Sequence, residues 1–193
     1  EVMGRLDDSM ATAELLVKET AADFQQDPLN AENMRNYGVM LNNLGDVQTT
    51  AKRYAEAERS LKEALRIRES FAAKYPNTSV GTVDVASTLL YLGELQNETG
   101  RSREAAASLR RSFTLREKVL AASNNNTELL WKQFEAMEAL GSALAELRSS
   151  DCREVHAKAE AMAVALGKAG KLAPSKQNAV ERIRKQMEGC PAG

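Results

Sequence analysis

The sequence predicts an all-α solenoid of antiparallel helix pairs, on three observations. The first is a period: Leu44-Gly45 returns as Leu92-Gly93 and again as Leu140-Gly141, two equal steps of 48 residues. A fixed step of this size marks stacked structural repeats. The second is spacing. Met34, Tyr37, Leu41 and Leu44 recur three to four apart, which lays an apolar stripe along one helix face. The third is composition. With only four prolines and few β-branched runs, little in the chain favours strands.

The elements follow in order. A helix is expected from about Leu6 to Gln26, with Asp7, Asp8 and Ser9 as its capping residues, Leu15, Leu16, Ala22 and Phe24 as apolar positions, and Asp27-Pro28 as its stop. Phe24 to Pro28 resembles Phe71 to Pro76, so this is the second helix of a partial repeat, 6–28. The first full repeat, 30–76, pairs a helix over about 30–50 with one over 54–74, ended by Pro76-Asn77. The second, 79–122, pairs 79–98 with 102–121, and Gly100 caps the first of these helices. The third, 127–167, pairs 127–147 with 152–166. Gly167 to Pro174 connects to a capping helix, 175–189, with Ala179, Ile183 and Met187 four apart. A terminal cap of this kind shields the apolar end of a repeat stack. The whole, 1–193, reads as one domain.

Packing explains the Leu-Gly step. Gly45 removes a side chain so that a neighbouring helix approaches closely, Ala57 and Ala64 are small at the matching contact, and Leu41, Leu44 and Leu61 fill the groove. Ala105 and Leu109 repeat Ala57 and Leu61 at the 48-residue step, while Ser112 replaces Ala64. The third copy keeps Met137, Leu140 and Gly141 and needs a shift of about two residues, which places Val155 at the small position. Arg68-Glu69 and Arg116-Glu117 also recur and read as outer-face ion pairs, each contributing little.

Charge is nearly balanced, with 26 basic and 27 acidic residues, which argues against nucleic acid or an anionic membrane as the main partner. No apolar run reaches the length of a membrane span, and no signal peptide is recognisable. The first residue is Glu1 rather than Met, which leaves an excised fragment as one reading.

No catalytic motif is found: neither a phosphate-binding Gly-rich loop nor His-Glu-x-x-His occurs, and no cofactor is expected. His156, the one histidine, has no nucleophile-elbow serine beside it and reads as a surface or half-buried residue. Asn77-Thr78-Ser79, Asn97-Glu98-Thr99 and Asn125-Asn126-Thr127 fit a glycosylation pattern too short to carry weight. Trp131 is either a core plug or a partner anchor. Cys152 and Cys190 begin and end two level helices, each about 21–22 Å long at 1.5 Å per residue. Two reduced thiols are one reading. The other is a Cys152–Cys190 disulfide, which requires an oxidising compartment and Cα atoms within about 7 Å.

Leu41, Leu44, Gly45, Ala57, Leu61 and Ala64 resemble the signature of the tetratricopeptide repeat, although the usual repeat is shorter, near 34 residues. The resemblance implies a right-handed superhelix whose first helices line a concave groove, and a protein or peptide as the partner. Carried over by position, the groove holds Asn42, Asn43, Asp46 and Thr49, then Ser87, Leu90, Tyr91, Glu94 and Asn97, then Glu135, Glu138, Ser142 and Glu146. Asn side chains match a peptide backbone, and the carboxylates favour a basic partner. Asp46 and Glu94 stand where a clamp for a peptide's C-terminal carboxylate needs neutral or basic groups.

A narrower resemblance rests on Leu-Gly-Asp-Val at 44–47, Ala-Leu-Arg-Ile-Arg-Glu at 64–69 and the ending Gly-Lys-Ala-Gly-Lys-Leu…Cys over 167–190. These are similar to the repeat tails of bacterial Ser/Thr protein kinases. The resemblance implies a sensor or scaffold tail, cytoplasmic, or extracytoplasmic if a membrane span separates it from a kinase domain. None of the kinase's own motifs is present here.

Overall fold

The computed structural model describes residues 2–122, 126–171 and 178–191, with side chains described from Arg5 onward. Among the described residues eight helices follow in order: α1 (Val2–Gln26), α2 (Ala31–Thr50), α3 (Tyr54–Lys74), α4 (Ser79–Glu98), α5 (Ser102–Ala122), α6 (Thr127–Glu146), α7 (Asp151–Lys168) and α8 (Ala179–Glu188). No strand occurs among the described residues. Sequential neighbours pack on each other, the pattern of a helical-repeat solenoid. No described helix is long and apolar enough to cross a membrane. The chain forms two compact units, Glu1–Leu95 and Gln96–Gly193.

Local chemistry sets the helix ends. The Asn30 side chain accepts from the backbone N–H of Glu32 at 2.9 Å and of Asn33 at 3.1 Å, and Asn126 accepts from Leu129 at 3.1 Å. Each satisfies donors that a helix start leaves open. The turns after α2, α4 and α6 repeat the 48-residue step in their backbone. Lys52, Gly100 and Arg148 have φ of 58°, 72° and 50°. The next residue's N–H closes onto Gln48, Gln96 and Leu144 at 2.8, 2.8 and 2.9 Å, the six-to-one bond of a Schellman cap. Glycine fills this left-handed position only in the second copy.

In the first unit α2 packs on both α1 and α3. Met10, Ala13 and Leu44 form one core cluster. Ala57 and Leu61 of α3 form another with Leu92 and Leu95 of α4. α1 departs from the sequence reading in two ways. It starts at Val2, so Asp7 to Ser9 lie inside it, where the Ser9 hydroxyl donates to the Arg5 carbonyl at 2.7 Å. Its inward face carries Met10 and Ala13, whereas Leu15, Leu16 and Ala22 are exposed. Phe24 stacks on Tyr37 at 5.3 Å.

In the second unit α6 packs on α5 and α7, and α7 on α8. Phe134, Met137, Ala159, Ala163, Ala179 and Ile183 make its core, with Trp131 and Met187 packed against it. Trp131 meets Phe134 edge-on at 5.5 Å and donates its indole N–H to the Lys171 carbonyl at 3.1 Å, so it acts as a core plug. The expected start of the last helix at Ser175 lies outside the described residues.

The second helices of the three pairs share one buried stripe. It is Ala57, Leu61, Ala64, Arg68 and Phe71 on α3, then Ala105, Leu109, Ser112, Arg116 and Val119 on α5. On α7 it is Cys152, His156, Ala159, Ala163 and Leu166. The step from α3 to α5 is 48 throughout, and that from α3 to α7 is 95 throughout. One residue is missing between Arg148 and Cys152, and this corrects the expected shift. Cys152, not Val155, takes the small position; Val155 is only half-buried.

Candidate functional site

In the first unit Arg68 is the centre of a buried polar hub. The helix stripe turns it inward, so it is not the outer-face ion pair expected from the Arg-Glu repeat. Its Nη1 donates to Asn42 Oδ1 of α2 at 3.2 Å, and on α4 to the Asp84 carbonyl at 2.8 Å and Thr88 Oγ1 at 2.6 Å. Burial pulls the guanidinium pKa down to about 10, against the opposing pull of the Asp84 carboxylate. Arg35 of α2 also pairs with Asp84 at 3.0 Å. Two first helices are thereby held side by side in front of the second. Arg116 is likewise fully buried, and its Nη1 donates to Ser112 Oγ. Ser112 is the residue that replaces the usual alanine.

The expected partner-facing residues divide by environment. Asn43 and Asp46 on α2 are exposed. Thr49 is half-buried and donates to the Gly45 carbonyl at 2.8 Å. On α4, Ser87, Tyr91 and Glu94 are half-buried, Ser87 donating to the Val83 carbonyl at 2.9 Å and Tyr91 packing against the Ala57–Leu61 cluster. Asn42 is withdrawn from this surface because it is buried and accepts from Arg68; Leu90 is withdrawn because it is 1% exposed.

In the second unit Asn97 donates to the Ala139 carbonyl at 2.9 Å, and Glu135 pairs with Lys132 at 2.9 Å. Ser142 is half-buried and donates to the Glu138 carbonyl at 3.2 Å, while Glu146 is exposed. Glu138 accepts from both Arg182 Nε and Arg182 Nη2 of α8. The carboxylates of Glu135 and Glu138 on α6 are therefore met by the chain's own bases. A cavity of about 600 Å³ is bordered by Arg103, Arg110, Leu144, Leu147 and Asp151. Its Arg110 and Asp151 are paired with each other at 2.6 Å.

The other constellation closes the α7–α8 end. Cys152 and Cys190 form a disulfide with Cα atoms 5.7 Å apart. His156, one turn after Cys152, is fully buried rather than a surface or half-buried residue. Its ring fills the space that the absent Gly141 side chain leaves: a Cβ there would lie 2.4 Å from His156 Cε1. Burial lowers the imidazole pKa, with the Glu138 carboxylate opposing.

Sequence reasoning missed two features that had a signal. Gln48 accepts from Ser60 and Gln96 from Ser108, each at 2.8 Å, one 48-residue step apart. The placement of Arg68 was written in the spacing of its own helix stripe.

These features define a class, the helical-repeat proteins built from pairs of antiparallel helices. Within that class, residues 38–118 match the family model for the tetratricopeptide repeat. No curated protein matches. Among solved structures, the crystal structure of BtubC (BKLC) from P. vanneervenii is similar at 16% identity and a TM-score of 0.48, over 97% of this chain and 94% of that one. Tetratricopeptide repeats generally mediate protein–protein interaction, and their fold is typically non-catalytic.

Proposed function

We propose that the chain is a non-catalytic scaffold that binds a protein or peptide along the first helices of its repeats. The surface best supported is that of α2 and α4 in the first unit, with Asn43, Asp46 and Thr49 on one helix and Ser87, Tyr91 and Glu94 on the other. The observation that carries this reading is the Arg68 hub, which bonds both helices from behind and fixes their spacing before any partner arrives. A preformed surface loses little ordering entropy on binding. Asp46 and Glu94 favour lysine- or arginine-bearing peptides. Asp46, Ser87, Tyr91 and Glu94 also interact within the chain, so the partner engages side chains that are already oriented. Glu138 is left out of the surface because Arg182 holds it. The test is an array of basic and acidic peptides probed with the wild-type chain and with Asp46→Lys/Glu94→Lys. Basic peptides should bind the wild type and be lost by the variant. Equal binding to both removes this surface.

The finer reading, a sensor tail of a Ser/Thr kinase, rests on the phrases at 44–47, 64–69 and 167–190. Its test is the intact mass of the native protein captured from its source cells. Peptides with kinase motifs in the same chain support it, and a mass equal to that of this sequence removes it.

A further inference from the structure

Three buried residues at the α7–α8 end have a chemistry that helix packing does not require. The equivalent stripe positions are Ala57 and Leu61 on α3, and Ala105 and Leu109 on α5, all fully buried hydrocarbon. On α7 the same two positions hold Cys152 and His156. A cysteine and a histidine four apart point from one face of a helix, the spacing at which helical ligand pairs share a metal ion. Cys190, after α8, supplies a third group: one ligand atom from each of Cys152, His156 and Cys190 lies within 4.8 Å of the others. Neither ring nitrogen of His156 has a hydrogen-bond partner, although both are buried. A buried neutral imidazole carries one N–H and one lone pair and normally pairs at least one of them, so this ring keeps a lone pair available to a ligand.

We propose that, when the Cys152–Cys190 disulfide is reduced, Cys152, His156 and Cys190 bind one Zn²⁺ ion. Reduction by a dithiol passes two electrons and two protons to the S–S bond. It leaves two thiols here and a cyclic disulfide on the reductant. Metal binding then releases the two thiol protons, and the thiolates and the neutral imidazole become ligands. Zn–S and Zn–N bonds of about 2.3 and 2.0 Å place donor atoms roughly 3.5–4 Å apart, so the two sulfurs move apart once the disulfide opens, and no pair needs to exceed the present 4.8 Å. Two thiolates and an imidazole select a soft or borderline d¹⁰ ion over Mg²⁺ or Ca²⁺. Three protein ligands leave the fourth tetrahedral position to a water molecule. The same residues thus clasp α7 to α8 in either redox state, covalently when oxidised and through metal when reduced.

The test uses the whole chain, reduced and then freed of reductant without air, with Co²⁺ as the spectroscopic probe. One equivalent should give the visible bands of tetrahedral cobalt and near-ultraviolet thiolate charge transfer, and Zn²⁺ should displace it. The disulfide form should give neither. His156→Ala should weaken binding at least about a hundredfold, since loss of even an outer hydrogen-bond partner of a ligand costs about 10–100-fold. That variant's ability to form the disulfide under oxidising conditions serves as its folding control. Should reduction unfold the α7–α8 end, Zn²⁺ must restore its helicity. Absence of charge transfer, undiminished binding by His156→Ala, or a reduced chain that Zn²⁺ neither binds nor refolds would each overturn the proposal.

Discussion

The α2–α3 and α6–α7 pairs solve the same packing problem with different chemistry. In each, the glycine of a Leu-Gly step lets the second helix approach. A Cβ on Gly45 would lie 2.6 Å from Leu61 Cγ, and one on Gly141 would lie 2.4 Å from His156 Cε1. The side chain met in the first contact is hydrocarbon, that of Leu61. The second sets a polar ring and a sulfur where alanine and leucine serve elsewhere. Geometry is retained while chemistry changes, so the fold tolerates a specialised residue pair at a fixed contact.

The sharpest way to break the comparison is to remove what each pair depends on most. Cys152→Ser/Cys190→Ser opens a bridge spanning 38 residues, and loop entropy puts the loss at about 4 kcal/mol. Trp131, the chain's one tryptophan, reports it as a lower denaturant midpoint in the second unit. Leu61→Ala, at a fully buried position, should cost about 2–5 kcal/mol, read by circular dichroism. A loss below about 1 kcal/mol would mean that α3 repacks freely.

Next comes the glycine contact itself. Gly141→Ala forces the His156 ring away, at about 1–3 kcal/mol for overpacking, partly offset by about 1 kcal/mol of helix propensity. Combined with His156→Ala the penalty should shrink, giving a coupling of about 0.5–3 kcal/mol in a double-mutant cycle. Additive losses would show that the ring does not fill the glycine's space.

The pairs also differ in pH response. The folded-state pKa of His156 is lowered from 6.5 by burial. The unfolded chain therefore binds its proton first, and stability falls as pH drops below about 6.5 toward the folded value. Above pH 7 the contribution is fully present. Unfolding midpoints of the disulfide form between pH 7.5 and 5.5 should slope downward, and His156→Gln should flatten them. The smallest effect lies in the turns. Lys52→Gly and Arg148→Gly each relieve a left-handed residue and should gain up to about 1 kcal/mol, and Gly100→Ala should lose about as much.

The helices were legible because their punctuation is local: Asp27-Pro28, Gly100 and Pro76 mark boundaries by backbone chemistry that needs no tertiary context. The start of α1 was misread because Asp7 to Ser9 have capping side chains but continue an existing helix. Arg68 was read by its charge, when its spacing from Ala57, Leu61 and Ala64 had already turned it inward. The one-residue offset of α7 was hidden because a deletion in a turn leaves no mark in composition. It emerges only when five buried positions are matched at once. For the same reason His156 was judged alone, and its proximity to the two cysteines depended on that register. Of the residues expected to face a partner, Asn43 and Asp46 are exposed and Glu94 is half-buried, whereas Asn42 is withdrawn into the Arg68 hub, a contact that position along α2 alone does not reveal.

The Gln48–Ser60 and Gln96–Ser108 bonds have a mechanical consequence. Both glutamines are buried, at 5% and 4% exposure, so each carbonyl needs its hydroxyl. Sliding one helix along its neighbour by a turn would keep much of the apolar contact, because alanine and leucine recur along the stripe, but it would strand the amide. Each bond thus acts as a detent. An extra residue inserted in the turn must bulge outward there, since the helices on either side are not free to shift and absorb it.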